Sequence, residues 1–168
     1  MKNFALRTAG ITALAVAAAL SGPVHGQLMR SETNISLALA NDIAAAAVAE
    51  CAAKNYAVTA TVVDRAGQIR AVQRADNAGP HTLDSSRHKA YTAASFRAPS
   101  SAIMDTAQKN PGAQYLWQID GVILVAGGVP IRTGNETIGA VGVGGAPGGN
   151  LDEVCAQAAL EKVKDKLN

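Results

Sequence analysis

The stretch "YAVTATVVDRAGQIRAVQR", residues 56–74, decides the fold because it has the pattern of an antiparallel β-hairpin. Its first part alternates valine and alanine with threonine as far as Val62, which is typical of a strand with two unlike faces. The segment "DRAGQ" supplies a glycine for the reversal, and "QIRAVQR" then returns as a second strand. A sheet is therefore predicted at the centre of the domain.

Helical periodicity flanks this hairpin on both sides. Upstream, Leu39, Ile43, Ala47 and Cys51 recur at every fourth residue, and Asn34 is the predicted N-cap. Near the C-terminus a second apolar stripe is formed by Leu151, Val154, Cys155, Ala158, Ala159 and Val163. The first and last elements of the domain are therefore predicted to be amphipathic helices.

The two cysteines of the chain, Cys51 and Cys155, fall on these two apolar stripes. Their spacing is not that of a zinc site or of a thioredoxin-like motif. If the two helices pack side by side, an oxidising compartment would let the thiols form a disulfide that closes a loop of about 100 residues. The alternative is a pair of buried free thiols that act as small hydrophobic side chains.

The region between the hairpin and the last helix supplies the other elements. A helix is predicted from Asp84 to just before Pro99, and a shorter one in "SSAIMDTAQKNPG" ends at Pro111. The apolar run "GVILVA" and the segment "GGVPIRTGNETIGAVGVGG" supply the other strands. The expected fold is α/β, of the α+β kind, with a four- to five-stranded, largely antiparallel sheet flanked by helices and with the N- and C-terminal helices packed together.

The glycine-rich segment "VGVGGAPGGN", residues 141–150, lacks the spacing of the usual phosphate-binding loops. We interpret it as a turn from a strand into the last helix, which is predicted to be capped near Asn150. Asp152 and Glu153 then suit the positive end of that helix.

Residues 1–26 are predicted to be a secretory signal peptide, because a basic start is followed by an apolar run and small residues. The apolar run is too short to span a bilayer comfortably, so no membrane span is expected. Val24 and Gly26 suit cleavage before Gln27, which leaves residues 27–168 as a single domain. The mature protein is therefore expected to be periplasmic or secreted.

The charge balance argues against a nucleic-acid partner. The chain has 15 Lys and Arg residues against 13 Asp and Glu residues. Loss of the leader removes Lys2 and Arg7, so the two signs become equal in the mature protein. Nucleic acids and anionic membrane surfaces are bound mostly through clustered positive charge, which this composition does not offer.

Four segments, taken in order, resemble the GlcG/HbpS proteins, a family also found as the C-terminal domain of PduO adenosyltransferases. They are "VVDRAGQIRAVQRADNAGPHT", "SRHKAYTAASFRAPS", "GGVPI" and "IGAVGVGGAPGGNLDEVCAQAAL". The resemblance implies helices over an antiparallel sheet, assembly into homo-oligomers, and haem binding by several members, some of them exported. Haem b is therefore the expected cofactor. One departure is Gly144, where many relatives have serine, so a hydroxyl contact from that loop is not carried over.

Haem is a flat apolar disc with two propionates and an iron, so its site needs an apolar slot, cations at the rim and an axial ligand. The segment 74–97 contains all three types of residue. His81 follows Gly79 and Pro80 in a predicted exposed loop, and we favour it as the axial ligand of the iron. His88, on the following helix, is the alternative ligand, although it also fits a solvated surface.

Charged and aromatic residues near these histidines complete the predicted site. Arg74, Arg87 and Lys89 are candidates to pair with the propionates, although charges on a helix often form only a solvated face. Tyr91 is a further candidate contact, and packing of its ring in the interior is the other interpretation.

The predicted function is that of an exported haem-binding protein that captures, stores or presents haem in a cleft near the segment 74–97. The sequence has no G-x-S-x-G elbow and no H-E-x-x-H motif, so no catalytic residues are assigned and redox activity would be incidental to the haem. The alternative is an enzyme or an accessory protein of small-molecule catabolism. Such a protein would bind a small organic acid, an aromatic compound or a corrinoid.

Overall fold

The predicted hairpin is present in the computed structural model, which describes residues 29–167. The four strands are β1 (Thr59–Asp64), β2 (Ile69–Arg74), β3 (Gly128–Thr133) and β4 (Glu136–Gly144). They form one sheet in the order β2-β1-β4-β3, and every neighbouring pair is antiparallel. The predicted fold class is confirmed, with four strands rather than five in the described part of the chain.

Helices cover the two faces of this sheet. They are α1 (Leu37–Ala52), α2 (His81–Phe96), α3 (Ser100–Lys109) and α4 (Gly149–Lys162), with short 3₁₀ turns at Pro111–Ala113, Leu116–Gln118 and Lys164–Lys166. Within residues 29–167 no helix is long and apolar enough to cross a bilayer. Contacts group the described residues from Glu32 onward into one compact unit. The predicted signal peptide lies outside the described residues and stays a prediction.

The core lies between the sheet and the pair α1 and α4. Val58, Ala60 and Val62 are fully buried there, together with a row of small side chains from both helices. Full burial of one valine side chain stabilises the folded state by roughly 1.5–3 kcal/mol. The small alanines let the helices approach closely, and the predicted disulfide Cys51–Cys155 is present with its Cα atoms 5.4 Å apart.

Helix α2 lies on the opposite face of the sheet and approaches it unusually closely. A Cβ added at Gly142 would lie 2.1 Å from the Ser86 carbonyl oxygen, and one added at Gly128 would lie 2.1 Å from that of Lys89. Hydroxyl pairs satisfy the polar side chains buried in this contact: Thr59 with Thr82 at 2.7 Å, and Thr61 with Ser86 at 2.8 Å. The glycines and the hydroxyl pairs together fix the position of α2 on the sheet.

Predicted details of α1, of α4 and of the run before β3 are wrong. The N-cap of α1 is Ser36, whose hydroxyl accepts a hydrogen bond from the Leu39 N–H group, rather than Asn34. Val154 is exposed, because α4 turns Ala156 and Asp152 inward instead. The run 121–126 is not a strand, because it passes along α2 and its backbone N–H at Ile123 donates to the Thr92 hydroxyl at 2.9 Å.

Candidate functional site

Both histidines of the segment 74–97 belong to α2. The helix begins at His81, three residues before the predicted start, so His81 lies in the first turn and not in a loop. His88 follows His81 by seven positions, which places the two residues about 20° apart around the helix axis and about 10 Å apart along it. His81 is exposed and His88 is half-buried. The structure therefore places two imidazoles on one side of α2.

The position of the His81 ring depends on Gly79. A Cβ added at Gly79 would lie 2.7 Å from the Cε1 atom of His81. The ring is therefore folded back over the turn that precedes α2. This arrangement keeps the imidazole at the surface, where it is accessible to a ligand.

His88 lies among charged neighbours. Its Nε2 atom contacts the guanidinium group of Arg87. Burial lowers the pKa of His88 below its ordinary value of 6.5, the positive charge of Arg87 lowers it further, and Asp84 opposes both effects. These effects favour the neutral form of the ring, which is the form that ligates a metal.

We expect the ring protons of His88 to titrate in NMR spectra with a midpoint below 6.5. Because the folded-state pKa is the lower one, the stability that the neutral ring contributes is complete above the unfolded pKa and is lost as pH falls through the folded pKa. The variant R87A removes one cause and should raise the midpoint. An unchanged midpoint in R87A would contradict this explanation.

Edge strand β2 has an uncovered side next to α2. Val72 pairs with Thr61 and Arg74 pairs with Thr59, and both threonines bond to hydroxyl groups of α2. Val72 and Arg74 therefore project from the face on which α2 lies. Helix α2 packs against β1, β3 and β4, so this part of β2 stays open.

Exposed apolar side chains line this open area. Ile69 is 51% exposed, Val72 is 42% exposed, and Leu83 of α2 is 44% exposed. We call these three residues the β2 strip. Arg74, whose guanidinium donates to the Ala78 carbonyl, lies on the same face. The strip is thus an apolar surface with a cation at its end.

Arg87 follows Leu83 by one turn and stands between the β2 strip and the histidines. Its Nε atom is 3.9 Å from the Asp84 carboxylate, a partly exposed pair of little energetic weight. Both arginines predicted to meet propionates thus remain near the surface.

Lys89 is placed differently from the arginines. Its side chain is 4% exposed, and Nζ lies 2.6 Å from Asp152 Oδ2 and 3.0 Å from the Val143 carbonyl oxygen. The remaining Asp152 oxygen accepts from the Ala146 N–H group at 2.9 Å. The ammonium group is therefore buried and paired inside the protein, so Lys89 is not placed to meet a propionate at the surface.

The Tyr91 ring is held between two turns. A Cβ at Gly67 would lie 2.8 Å from the ring, and one at Gly121 would lie 3.1 Å from it. Both glycines have positive φ values, +77° and +82°, which other residues rarely adopt. This is the packing role that the sequence left open as the alternative to a cofactor contact.

Two features were missed at the level of sequence. One is the buried Lys89–Asp152 pair, for which the signal was present, since Lys89 follows Thr82 and Ser86 on the inner side of α2. The other is a groove of about 220 Å³ between α3 and α4, away from the two histidines. Asp152 belongs to the first feature and Glu153 lines the second, so these acidic residues do more than complement the dipole of α4.

Known proteins with similar sequences share this architecture. The family model described as haem degrading protein HbpS-like matches residues 35–161. A double mutant of HbpS from Streptomyces reticuli has 35% sequence identity and a TM-score of 0.75, with 87% of this chain and 98% of that chain covered. The uncharacterized 15.0 kDa protein in the dhaT-dhaS intergenic region of Citrobacter freundii is 36% identical over 131 residues, which cover 76% of this chain and 90% of the relative.

A more distant structural likeness is to PduOC, which was crystallised in complex with haem. The sequence identity is 22% and the TM-score is 0.68, and the match covers 77% of this chain and 94% of PduOC. At this identity the likeness shows the shared fold.

Proposed function

Because this chain belongs to the HbpS-like family, we propose that it is an exported haem-binding protein that captures, stores or presents haem. The observation that carries the proposal is the surface around α2, where two imidazoles, two arginines and an apolar strip lie within one segment and its neighbouring strand. These are the three kinds of group that a haem site requires. The crystallised haem complex of the distantly similar PduOC supports the same ligand.

His81 is the proposed axial ligand of the iron, and His88 is the second candidate. His81 is the more exposed of the two, so its ring nitrogens are the more accessible to iron. An imidazole binds iron through one nitrogen while an acceptor orients the other. The neutral state of His88 also suits this role, although its contact with Arg87 must then rearrange.

Arg87 would pair with a propionate, and the β2 strip is the alternative surface for the haem ring. Leu83 lies about 140° from His88 around the helix axis, so the strip and the imidazoles lie on different sides of α2. Arg87 stands between them and is within reach of a propionate on either side. We propose that the ring lies on the imidazole side, and the test below separates this placement from one on the strip.

Haem b is the proposed form of the cofactor. Covalent attachment of c-type haem uses two cysteines in a C-x-x-C-H motif. Here both cysteines of the chain are joined to each other in a disulfide on the opposite face of the sheet. The porphyrin would therefore be held without thioether bonds to the protein.

Export and self-association are parts of the same proposal. The leader pattern supports export, and the disulfide fits an oxidising compartment such as the periplasm. Tyr115, Trp117 and Ile119 are 60%, 59% and 49% exposed, which supports contact with another copy of the chain.

Haemin titration of the mature protein tests the proposal. We expect a Soret band in the wild type and an affinity at least roughly tenfold lower in H81A, because loss of an axial ligand removes a metal–nitrogen bond. The double variant H81A/H88A should lose the ligated spectrum altogether.

Three comparisons make this titration decisive. S95A, further along the exposed side of α2, should bind as the wild type does. A ligated spectrum that persists in H81A/H88A would exclude imidazole ligation from α2. Loss of haemin binding in V72D but not in the histidine variants would show that the ring lies on the β2 strip. A protein that takes up no haemin would refute the proposal and favour a catabolic enzyme or accessory role, whereas loss of iron from bound haem would indicate haem degradation.

A further inference from the structure

The groove between α3 and α4 forms a separate site. It has a volume of about 220 Å³, and the segment before β3 forms one of its walls. Met104, Ala126 and Val154 supply apolar surface, and Asn150 and Gln157 supply carboxamides. Most of its lining is apolar, as in small-molecule sites. Neither histidine of α2 lines it, so it is distinct from the proposed haem site.

Glu153 is the one charged side chain that lines this groove within the described residues. Its Oε1 atom accepts a hydrogen bond from the Ser101 hydroxyl at 2.8 Å, and its Oε2 atom accepts one from the Gly127 N–H group at 3.2 Å. An ionised carboxylate has about four acceptor positions, so each oxygen keeps a free one. The carboxylate is therefore held in a fixed orientation and can still accept hydrogen bonds from a ligand.

The net charge of the side chains that line the groove is negative. The neighbouring Asp152 is neutralised by its ion pair with Lys89. Gly127, which donates to Glu153, packs against that pair, and neither member of the pair lines the groove. The positive end of α4, roughly half an elementary charge, is outweighed by the full charge of Glu153. No lysine, arginine or histidine of the described chain lines the groove to compensate it.

We propose that this groove binds a small organic cation, namely a primary ammonium group attached to a short apolar body. The ammonium group would donate to the free acceptor positions of Glu153, and the apolar body would contact Met104, Ala126 and Val154. A charge-assisted hydrogen bond in a partly dehydrated site is about twice as strong as a neutral one, so the charge selects the ligand.

Benzylammonium and its neutral analogue benzyl alcohol are suitable probes, added to the mature protein and followed by amide NMR. We expect benzylammonium to shift the amide signals of Ser101 and Gly127, with an affinity about tenfold higher than that of the alcohol. The variant E153Q can still accept from Gly127 and donate to Ser101, so it removes the charge while it keeps both wall contacts. It should bind the two probes equally.

The control variant is E161Q, which changes an exposed glutamate further along α4 and should retain the preference for the ammonium probe. Equal affinities for the two probes in the wild type would overturn the proposal, even if E153Q failed to fold. Shifts confined to other parts of the protein, or none at all, would overturn it as well. H81A/H88A should bind benzylammonium as the wild type does, so failure of the haem proposal and failure of this one are distinguishable.

Discussion

The variant K89M is expected to destabilise the folded protein by about 3–5 kcal/mol, because it leaves the Asp152 carboxylate buried without its counter-charge. Asp152 is 2% exposed, and its pair with Lys89 links α2 to the start of α4. Urea unfolding of the wild type and the variant at pH 7 measures the difference. A loss below about 1 kcal/mol would contradict this account.

A matched control comes from an exposed pair of the same residue types. Lys109 and Asp105 lie 3.3 Å apart with side chains that are 76% and 55% exposed, so K109M should change stability by less than about 0.5 kcal/mol. The double variant K89M/D152L should regain part of the loss, because a buried pair is often replaced by apolar residues at little cost.

The penalty in K89M should also depend on pH. Burial raises the pKa of Asp152, and Lys89 lowers it again. Without Lys89, the folded-state pKa of Asp152 lies further above its unfolded value. As pH falls, Asp152 is therefore protonated in the folded state before it is protonated in the unfolded state, and the unpaired buried charge disappears. The stability gap between K89M and the wild type should therefore narrow on acidification.

Loss of the disulfide is expected to have an effect of similar size. The double variant C51A/C155A should be about 4 kcal/mol less stable than the oxidised wild type, because the crosslink joins residues 104 positions apart and restricts the unfolded chain. Both cysteines are fully buried between α1 and α4, so the alanines also leave small cavities. Urea unfolding with and without a reductant measures the effect.

The reductant supplies an internal control for this second prediction. It should lower the stability of the wild type and leave C51A/C155A unchanged, because the variant has no thiols. Alkylation should label two cysteines only after reduction and unfolding. Equal stability of oxidised and reduced wild type would show that the crosslink does not contribute.

The histidine that matters most to the proposed haem site was identified correctly as a surface residue but assigned to the wrong element. The Gly79-Pro80 pair predicted a loop through His81, yet proline is favoured at helix starts, and α2 begins directly after it. The two histidines therefore share one helix and act from a common surface. The choice between His81 and His88 as ligand stays a prediction.

The sequence by itself determined the hairpin and the two helices that carry Cys51 and Cys155, because each follows from a local period of two or about 3.6 residues. The tertiary structure decided that the two cysteines pair, since it packs α1 against α4. Only the tertiary structure decided that Lys89 is buried while Arg87 stays near the surface, and that α3 and α4 enclose a groove around Glu153. The physical reason is that Arg87 and Lys89, two positions apart on a helix, differ by about 160° in direction. Which of them faces inward is set by glycines such as Gly142, more than fifty positions away in the chain, that allow α2 to touch the sheet.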